Sequence, residues 1–181
     1  MARFVLVLLR HGHAEEGRGG GDHARRLSER GKKEARAVGA KLADPAWRPE
    51  AALVSDAART RGTLAEVQAA LGGDLPAEVR PELYLGVVDA VRQALSAPPP
   101  LCASAVSSRS TAEAQRGGSV EGEPSRLLVI GHNPTLSELA TRLTRDYIAL
   151  GTAEAVVLAV DAAAWAEAVQ LDGAWELLAT L

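Results

Sequence analysis

The sequence of 181 residues contains a single cysteine, Cys102. One cysteine cannot form a disulfide within the chain, and Cys102 has no neighbouring cysteine or histidine at the spacing of a zinc site. The sequence therefore excludes a disulfide-rich scaffold and a zinc module of the cysteine type. This cysteine usage is compatible with a reducing compartment, and we expect the protein to be cytoplasmic.

Aromatic residues and net positive charge are also scarce. The chain has three Trp, two Tyr and one Phe, and its formal net charge is −3. Because nucleic-acid binding needs a basic surface and aromatic rings that stack on bases, we expect no nucleic-acid partner. No apolar run reaches the roughly 18 residues that a membrane helix needs, and Arg10 interrupts the N-terminal run before a signal-peptide core could form. We therefore expect no membrane insertion.

Short apolar runs alternate along the chain with longer segments of helical period, a pattern typical of a parallel sheet covered by helices. The runs predict strands at 4–9, 51–54, 126–130, 155–160 and 175–181, with a further short strand or extended segment at 83–85. Helices are predicted at 29–42, 57–71, 87–95 and 136–143. The length fits one domain over residues 1–181. We predict a single three-layer α/β/α domain with a mostly parallel central sheet.

Polar residues and glycines mark the ends of several predicted helices. Ser28 is a candidate N-cap for the helix at 29–42. Ser55 and Asp56 are candidate caps for the helix at 57–71, which Gly72-Gly73 should end.

The segment 96–125 departs from the alternation of strands and helices. It contains Pro98-Pro99-Pro100, many serines and few large apolar residues. Such a segment cannot bury enough apolar surface to offset its ordering entropy. Because the apolar run at 126–130 resumes the alternation, we predict a flexible surface insertion inside the domain.

Two histidines directly follow predicted strands. Arg10-His11-Gly12 comes after the first apolar run, and Gly131-His132-Asn133 comes after the run at 126–130. In open α/β sheets ligands bind at the carboxyl ends of the strands, so we expect both imidazoles in one crevice. A bound oxyanion would partner the imidazoles and Arg10. Pro134 suits the first turn of a helix, whose free N–H groups would favour the same anion.

A third motif follows the strand at 51–54. The run from Ser55 to Thr63 places Arg59 in the first turn of the predicted helix, from which its side chain can reach over the strand ends. Arg61 points about 200° away on a helix of 3.6 residues per turn, so we expect it on the exposed surface. Arg59 is therefore the predicted second phosphate clamp.

Together these motifs resemble the histidine phosphatase superfamily, which includes the cofactor-dependent phosphoglycerate mutases. The resemblance runs along nearly the whole chain and depends on Arg10-His11-Gly12, Arg59 and His132. Residues 26–31 and 131–136 look most like the short phosphohistidine phosphatase branch. The resemblance implies a phosphoglycerate-mutase-like fold and a phosphatase that needs no metal or other cofactor. It also implies a phosphorylated protein or a small phosphate ester as the substrate.

In the mechanism that the resemblance implies, neutral His11 attacks phosphorus and forms a phosphohistidine, which water then hydrolyses. Arg10, Arg59 and His132 are the other catalytic residues, because they would hold the non-bridging oxygens and stabilise the spreading charge. Gly12 and Asn133 are predicted to line the substrate site.

The leaving group separates the possible substrates. An alkoxide needs a general acid, whereas imidazole leaves readily from a protonated phosphohistidine. Some family branches that use an acid place an Asp directly after the second histidine, but this chain has Asn133 there. Other branches place a Glu in a Glu-x-x-x-Gly segment, and residues 82–86 match that spacing. Glu82 is thus a candidate substrate-binding acid, and an exposed loop residue is the alternative interpretation.

Other functions stay open at this point. His11 and His13 have the His-x-His spacing of metallohydrolases, but few other ligands are available and the chain is too short for the barrel that usually carries this motif. We therefore predict His13 at the rim of the substrate site and no metal site. A non-catalytic module that binds phosphate or a phosphoprotein is the second alternative. Gly19-Gly20-Gly21 lacks the Gly-Lys-Ser/Thr ending of a P-loop, which disfavours a nucleotide triphosphatase.

Overall fold

The computed structural model describes residues 1–16, 20–73, 75–84, 86–101 and 122–181. Most of the insertion predicted at 96–125, together with Cys102, lies outside the described residues. At its two described flanks the Leu101 amide donates to the Gly122 carbonyl at 2.8 Å. The chain therefore leaves and re-enters the described structure at neighbouring points.

Strands and helices alternate along the described residues. The strands are β1 (Ala2–Arg10), β2 (Ala51–Val54), β3 (Ala77–Val79), β4 (Arg126–Gly131), β5 (Ala155–Ala162) and β6 (Glu176–Thr180). The helices are α1 (Glu29–Lys41), α2 (Ala58–Leu71), α3 (Val88–Leu95), α4 (Thr135–Thr144) and α5 (Trp165–Ala168), with a 3₁₀ turn at Pro81–Leu83. Ser28 caps α1 as predicted, since its side chain accepts the Gly31 amide.

The strands form one six-stranded sheet in the order β3-β2-β4-β1-β5-β6. β1, β2, β3 and β4 are parallel, and β5 is antiparallel to both of its neighbours, β1 and β6. The prediction of a mostly parallel sheet is confirmed. In the β1–β4 register Arg10 lies opposite Gly131, so the two strands end side by side.

Both faces of the sheet are buried under helices, which makes the fold a three-layer α/β/α sandwich. Along β1 successive side chains point to opposite faces, with Phe4, Leu6 and Leu8 in one core cluster and Val5, Val7 and Leu9 in the other. Helices α3, α4 and α5 cover the first face, and α1 and α2 cover the second. Burial on both faces explains why the β1 sequence is continuously apolar instead of alternating. No helix in the described ranges is long and apolar enough to cross a membrane.

The prediction of an extended segment at 83–85 is wrong. Residues 81–83 form a 3₁₀ turn instead of leading into an extended segment at 83–85, because Pro81 begins the turn and only Leu83 is buried there. Leu85 lies outside the described residues. The short edge strand β3 and the four-residue helix α5 were not predicted, since neither has an apolar run long enough to stand out.

The predicted cap of α2 is also wrong. Ala57 is the N-cap and makes no side-chain capping bond. Ser55 instead lies 2.9 Å from His132, Oγ to Nε2, and Asp56 pairs with His23. The Ala58 amide donates to the His23 carbonyl at 3.1 Å. The two polar residues that resemble a cap therefore contact His132 and His23 instead.

Candidate active site

The structure brings His11 and His132 together at the carboxyl ends of β1 and β4. Each histidine lies one residue beyond the end of its strand, and their ring centroids are 5.0 Å apart. The parallel register of the two strands produces this arrangement, since Arg10 is opposite Gly131. A phosphoryl group with its hydrogen bonds can reach both rings at this spacing.

The hydrogen bonds of His11 define which ring nitrogen carries its proton. Arg59 Nε lies 3.2 Å from His11 Nε2, and a guanidinium can only donate, so Nε2 holds a lone pair. Nδ1 therefore carries the proton and donates to the Gly12 carbonyl at 2.8 Å. Burial, together with the charges of Arg59 and Arg10, lowers the pKa of His11 to about 4, against the opposing effect of the Gly12 bond. At neutral pH the imidazole is uncharged and nucleophilic at Nε2.

Gly12 allows the chain to pass closely against α1 after the first strand. A Cβ at Gly12 would lie 2.7 Å from the Gly31 carbonyl oxygen, and one at Gly31 would lie 2.1 Å from the His13 carbonyl oxygen. The Gly12 amide donates to Thr63 Oγ1 at 3.1 Å. Gly12, predicted to bind substrate, thus has its amide already engaged, and its evident contribution is the close approach that places His11.

His132 is held from two sides. Its Nε2 lies 2.9 Å from Ser55 Oγ, and its Nδ1 lies 3.3 Å from Arg59 Nη2. Because Arg59 donates, Nδ1 accepts and Nε2 donates to the serine. Burial is the main reason that the pKa of His132 falls to about 3, and the positive charges of protonated His11 and Arg59 lower it further. Both imidazoles are therefore neutral at pH 7.

Arg59 is the centre of the cluster. It lies in the first turn of α2, is buried, and contacts both histidines. Its Nη1 donates to the Asp22 carbonyl at 2.7 Å, and its Nη2 donates to Asp22 Oδ2 at 2.9 Å. The reach of Arg59 over the strand ends agrees with the geometry expected from the sequence, and Arg61 is exposed as expected.

Arg10 and Asn133 share one partner, the Leu150 carbonyl. Arg10 Nη1 donates to this oxygen at 3.0 Å, and Asn133 Nδ2 donates to it at 2.7 Å. The Asn133 carbonyl oxygen accepts from Ser137 Oγ at 3.0 Å. Both the Nδ2 and the oxygen of the Asn133 amide are therefore hydrogen-bonded, and Asn133 holds the loop that carries Leu150 in place. Arg10 Nε is buried and has no hydrogen-bond partner within the described residues.

His13 and Glu82 are not joined to the histidine pair by any described contact. His13 is exposed, and its Nδ1 lies 2.8 Å from Oγ of the α1 cap Ser28. Glu82 is exposed and pairs with Arg80 at 3.4 Å. Among the described residues no three His, Cys, Asp or Glu side chains are grouped so that they could hold a metal ion.

Sequence reasoning missed a carboxylate in this cluster. Asp22 accepts hydrogen bonds from Tyr84 Oη at 2.8 Å, Arg25 Nη1 at 3.0 Å and Arg59 Nη2 at 2.9 Å. These bonds, that of Tyr84 first, hold the pKa of Asp22 well below its usual range. Asp22 lies in a glycine-rich stretch without hydrophobic periodicity, so no local signal in the sequence marks it.

His23 and Tyr84 complete the wall of the site beside Asp22. His23 Nε2 pairs with Asp56 Oδ1 at 2.9 Å, and the His23 ring packs edge-on against Tyr84 with centroids 4.7 Å apart. Tyr84 in turn packs against His132 at 5.3 Å. The loop that carries Asp22 and His23 is therefore attached to the start of α2 and to the 3₁₀ turn region.

Comparisons with known proteins identify the family of this chain. The family model described as histidine phosphatase superfamily (branch 1) matches residues 6–84. An uncharacterized chloroplastic protein of Arabidopsis thaliana is 31% identical over 179 residues, which cover 95% of this chain and 74% of that protein. This chain belongs to the histidine phosphatase superfamily. The family and the phosphatases among its structural neighbours identify it as a phosphatase, a hydrolase of phosphate compounds.

Solved structures place this histidine phosphatase with the short, SixA-like branch. A SixA protein of Nakamurella multipartitia that carries the provisional name of phosphohistidine phosphatase is 27% identical, with a TM-score of 0.75 over 100% of this chain and 96% of that chain. The protein histidine phosphatase SixA in complex with tungstate has the same fold, with a TM-score of 0.70, 24% identity and coverage of 98% and 96% of the two chains. A mycobacterial glucosyl-3-phosphoglycerate phosphatase shares the fold at a TM-score of 0.57 and 22% identity, covering 97% of each chain.

Proposed function

We propose that this histidine phosphatase is a cytoplasmic protein phosphohistidine phosphatase that works through a phosphohistidine intermediate on His11. The observation that carries the proposal is the His11 imidazole, which is neutral and presents the lone pair of Nε2 beside the Arg59 guanidinium. A nucleophile placed next to a group that binds phosphoryl oxygens is the arrangement that phosphoryl transfer needs.

The groups around His11 are those that would hold the phosphoryl oxygens. Arg59 directs Nε and Nη2 at the two imidazoles, and a phosphoryl oxygen bound there would accept the same N–H groups. Arg10 adds a buried Nε–H that has no partner among the described residues, and burying such a donor is unfavourable unless something accepts from it. A bound dianion would also favour protonation of His132, which could then donate from Nδ1.

The chemistry is a double displacement. The lone pair of His11 Nε2 forms a bond to phosphorus while the bond to the leaving atom breaks and its electron pair departs with that atom. Water then attacks phosphorus, the P–N bond breaks with its electron pair returning to Nε2, and the protons of the water stay on the phosphate product. His11 leaves as neutral imidazole because Nδ1 keeps its proton, which is hydrogen-bonded to the Gly12 carbonyl. Arg10, Arg59 and His132 stabilise the charge that spreads over the equatorial oxygens.

The acids near the site favour phosphohistidine over alkyl esters as the substrate. Glu82 is engaged with Arg80, and Asp22 stays ionised because its pKa lies well below the usual range. Neither carboxyl is therefore supported as the proton donor that an alkoxide requires. Protonated phosphohistidine brings its own good leaving group, and the provisional name of the Nakamurella protein supports the same substrate.

The test is turnover on three substrates: a phosphohistidine-containing protein, p-nitrophenyl phosphate and an alkyl phosphate. We expect the first two to be hydrolysed by the unaltered protein, and an acid-labile phosphoenzyme to be trapped that His11→Ala does not form. Turnover of alkyl phosphates without turnover of phosphohistidine would instead indicate a small-molecule phosphomonoesterase. Binding of phosphate without any turnover would indicate a non-catalytic module.

A further inference from the structure

Asp22 lies at the site but has no part in the reaction described above. Its side chain is 55% exposed, whereas that of its partner Arg59 is buried. Arg59 Nη2, which donates to Asp22 Oδ2 at 2.9 Å, is the same nitrogen that faces His132 Nδ1 at 3.3 Å. Asp22 is therefore one hydrogen bond from the group that would hold the phosphoryl oxygens.

The Asp22 carboxylate has room for another hydrogen bond. An ionised carboxylate offers about four lone-pair sites. Within the described part of the chain, donors from Tyr84, Arg25 and Arg59 occupy three of them. The side chain is more than half exposed, so a group entering from solvent can reach it.

A fixed negative charge at this place affects substrates differently. The phosphoryl group carries negative charge in every substrate, so its repulsion by Asp22 does not distinguish them. An ester adds the negative charge that develops on the departing oxygen, and that interaction with Asp22 is also unfavourable. A protonated phosphohistidine presents a cationic ring with an N–H on the nitrogen that is not bonded to phosphorus. A carboxylate is a strong acceptor for such a donor.

We propose that Asp22 accepts a hydrogen bond from the leaving imidazole of the substrate and so selects phosphohistidine over phosphate esters. This inference rests on the proposed function and extends it to the recognition of the leaving group. The bond from His11 Nε2 to phosphorus forms as the P–N bond of the substrate breaks, and the electron pair goes to the departing nitrogen. The other ring nitrogen keeps its proton, which stays hydrogen-bonded to the Asp22 carboxylate. Neutral imidazole therefore leaves, and no proton donor is needed.

The surroundings of Asp22 suit this role. Arg25 and Arg59 keep the carboxylate ionised and in place, and Tyr84 fixes the oxygen that faces Arg59. The neighbouring residue His23 anchors the loop through Asp56 and the edge of Tyr84. The acceptor is therefore positioned before the substrate arrives, which reduces the ordering needed on binding.

The experiment compares Asp22→Asn with the unaltered protein on phosphoimidazole and on p-nitrophenyl phosphate. We expect kcat/KM for phosphoimidazole to fall about 10- to 100-fold, the size of a lost hydrogen bond to a charged group. For p-nitrophenyl phosphate we expect kcat/KM to stay unchanged or to rise. N-methylated phosphoimidazole, which keeps the charge but lacks the N–H, should respond less to the substitution than phosphoimidazole does.

Asp161→Asn is the matched control, because Asp161 is 59% exposed on β5 and pairs only loosely with Arg3 at 3.7 Å. It removes the same charge far from the site and should change neither substrate. An equal loss on both substrates with Asp22→Asn would overturn the inference, since Asp22 would then only position Arg59. An equal rise in kcat/KM on both substrates would overturn it too, because Asp22 would then only compete with the phosphoryl group for Arg59. If the unaltered protein hydrolyses esters but not phosphoimidazole, the proposed function itself fails.

Discussion

Two carboxylate–arginine pairs, Glu50–Arg126 and Asp22–Arg59, lie at opposite ends of the sheet and have different roles. At the amino ends of the strands, Glu50 is only 10% exposed and pairs with Arg126 at 2.8 Å. Its other oxygen accepts the backbone amides of Ser125 and Arg126. At the carboxyl ends, Asp22 pairs with Arg59, its side chain is 55% exposed, and its donors among the described residues are all side chains.

The difference lies in what holds each carboxylate. Backbone amides are fixed by the course of the chain. Their bonds to Glu50 therefore hold the start of β4 against the residue before β2 and stabilise the fold. Side-chain donors can exchange one acceptor for another, so the N–H groups of Arg59 that face the imidazoles can turn to a phosphoryl oxygen without unfolding the protein. We therefore expect substitutions at the carboxyl ends to change activity, and substitutions at the amino ends to change stability.

The largest expected effect is on catalysis at the carboxyl ends. His11→Ala removes the proposed nucleophile and should lower kcat on the order of 10³-fold or more. Because the ring is partly exposed and belongs to no core cluster, the midpoint of thermal unfolding should remain close to that of the unaltered protein. Steady-state kinetics and calorimetry measure the two quantities, and full activity in the variant would point to another nucleophile.

Arg59→Ala tests whether Arg59, the buried partner of Asp22, binds the phosphoryl oxygens. We expect a loss on the order of 10² or more in kcat/KM, since the variant lacks the donors that face both imidazoles. Inhibition by vanadate should weaken in parallel, which a titration of activity against vanadate measures. A variant that keeps its affinity for vanadate would show that other groups bind the anion.

Glu50→Ala tests the buried pair. It leaves Arg126 without this carboxylate and two amides without their acceptor. We expect the free energy of unfolding to fall by about 2 to 4 kcal/mol, with kcat/KM unchanged at a temperature where the variant is folded. Urea denaturation measures the first quantity. A stability equal to that of the unaltered protein would remove the contrast between the two pairs.

The depressed histidine pKa values make stability depend on pH. In the folded protein the pKa of His11 is about 4 and that of His132 about 3, whereas an unfolded histidine titrates near 6.5. Between these values the unfolded chain binds more protons, so stability falls as the pH drops from about 6.5 towards 4. Each histidine contributes a slope of at most about 1.4 kcal/mol per pH unit. His132→Asn should therefore flatten the profile in denaturation experiments at several pH values, and an unchanged slope would contradict the burial argument.

The smallest expected effect concerns Glu82. Because its carboxylate pairs with Arg80 and makes no described contact with the histidines, Glu82→Gln should leave turnover of phosphohistidine within about twofold. Assays on alkyl phosphates provide the sharper comparison. A loss of about 10² to 10⁴ on alkyl esters, with little on nitrophenyl phosphate, would make Glu82 a general acid.

Much of the sheet could be predicted because its strands are continuous apolar runs. β2 has the predicted bounds, 51–54, and β1, β4, β5 and β6 begin and end within two residues of theirs, whereas the edge strand β3 was not predicted. The exceptions are informative. Ser55 and Asp56 have the composition of a helix cap, yet they bind His132 and His23 instead, and this competition depends on residues far away in the chain.

The local sequence already dictated that Arg10-His11-Gly12 and Gly131-His132-Asn133 would each follow a buried strand, because apolar runs form strands and the polar residues after them must leave the core. Only the tertiary structure decided that β1 and β4 are neighbours in parallel register, which brings the two rings to 5.0 Å. It also placed Asp22 on Arg59 and Tyr84, at separations of 37 and 62 residues. Contacts of that range depend on how the chain packs, and no local preference of the loop encodes them.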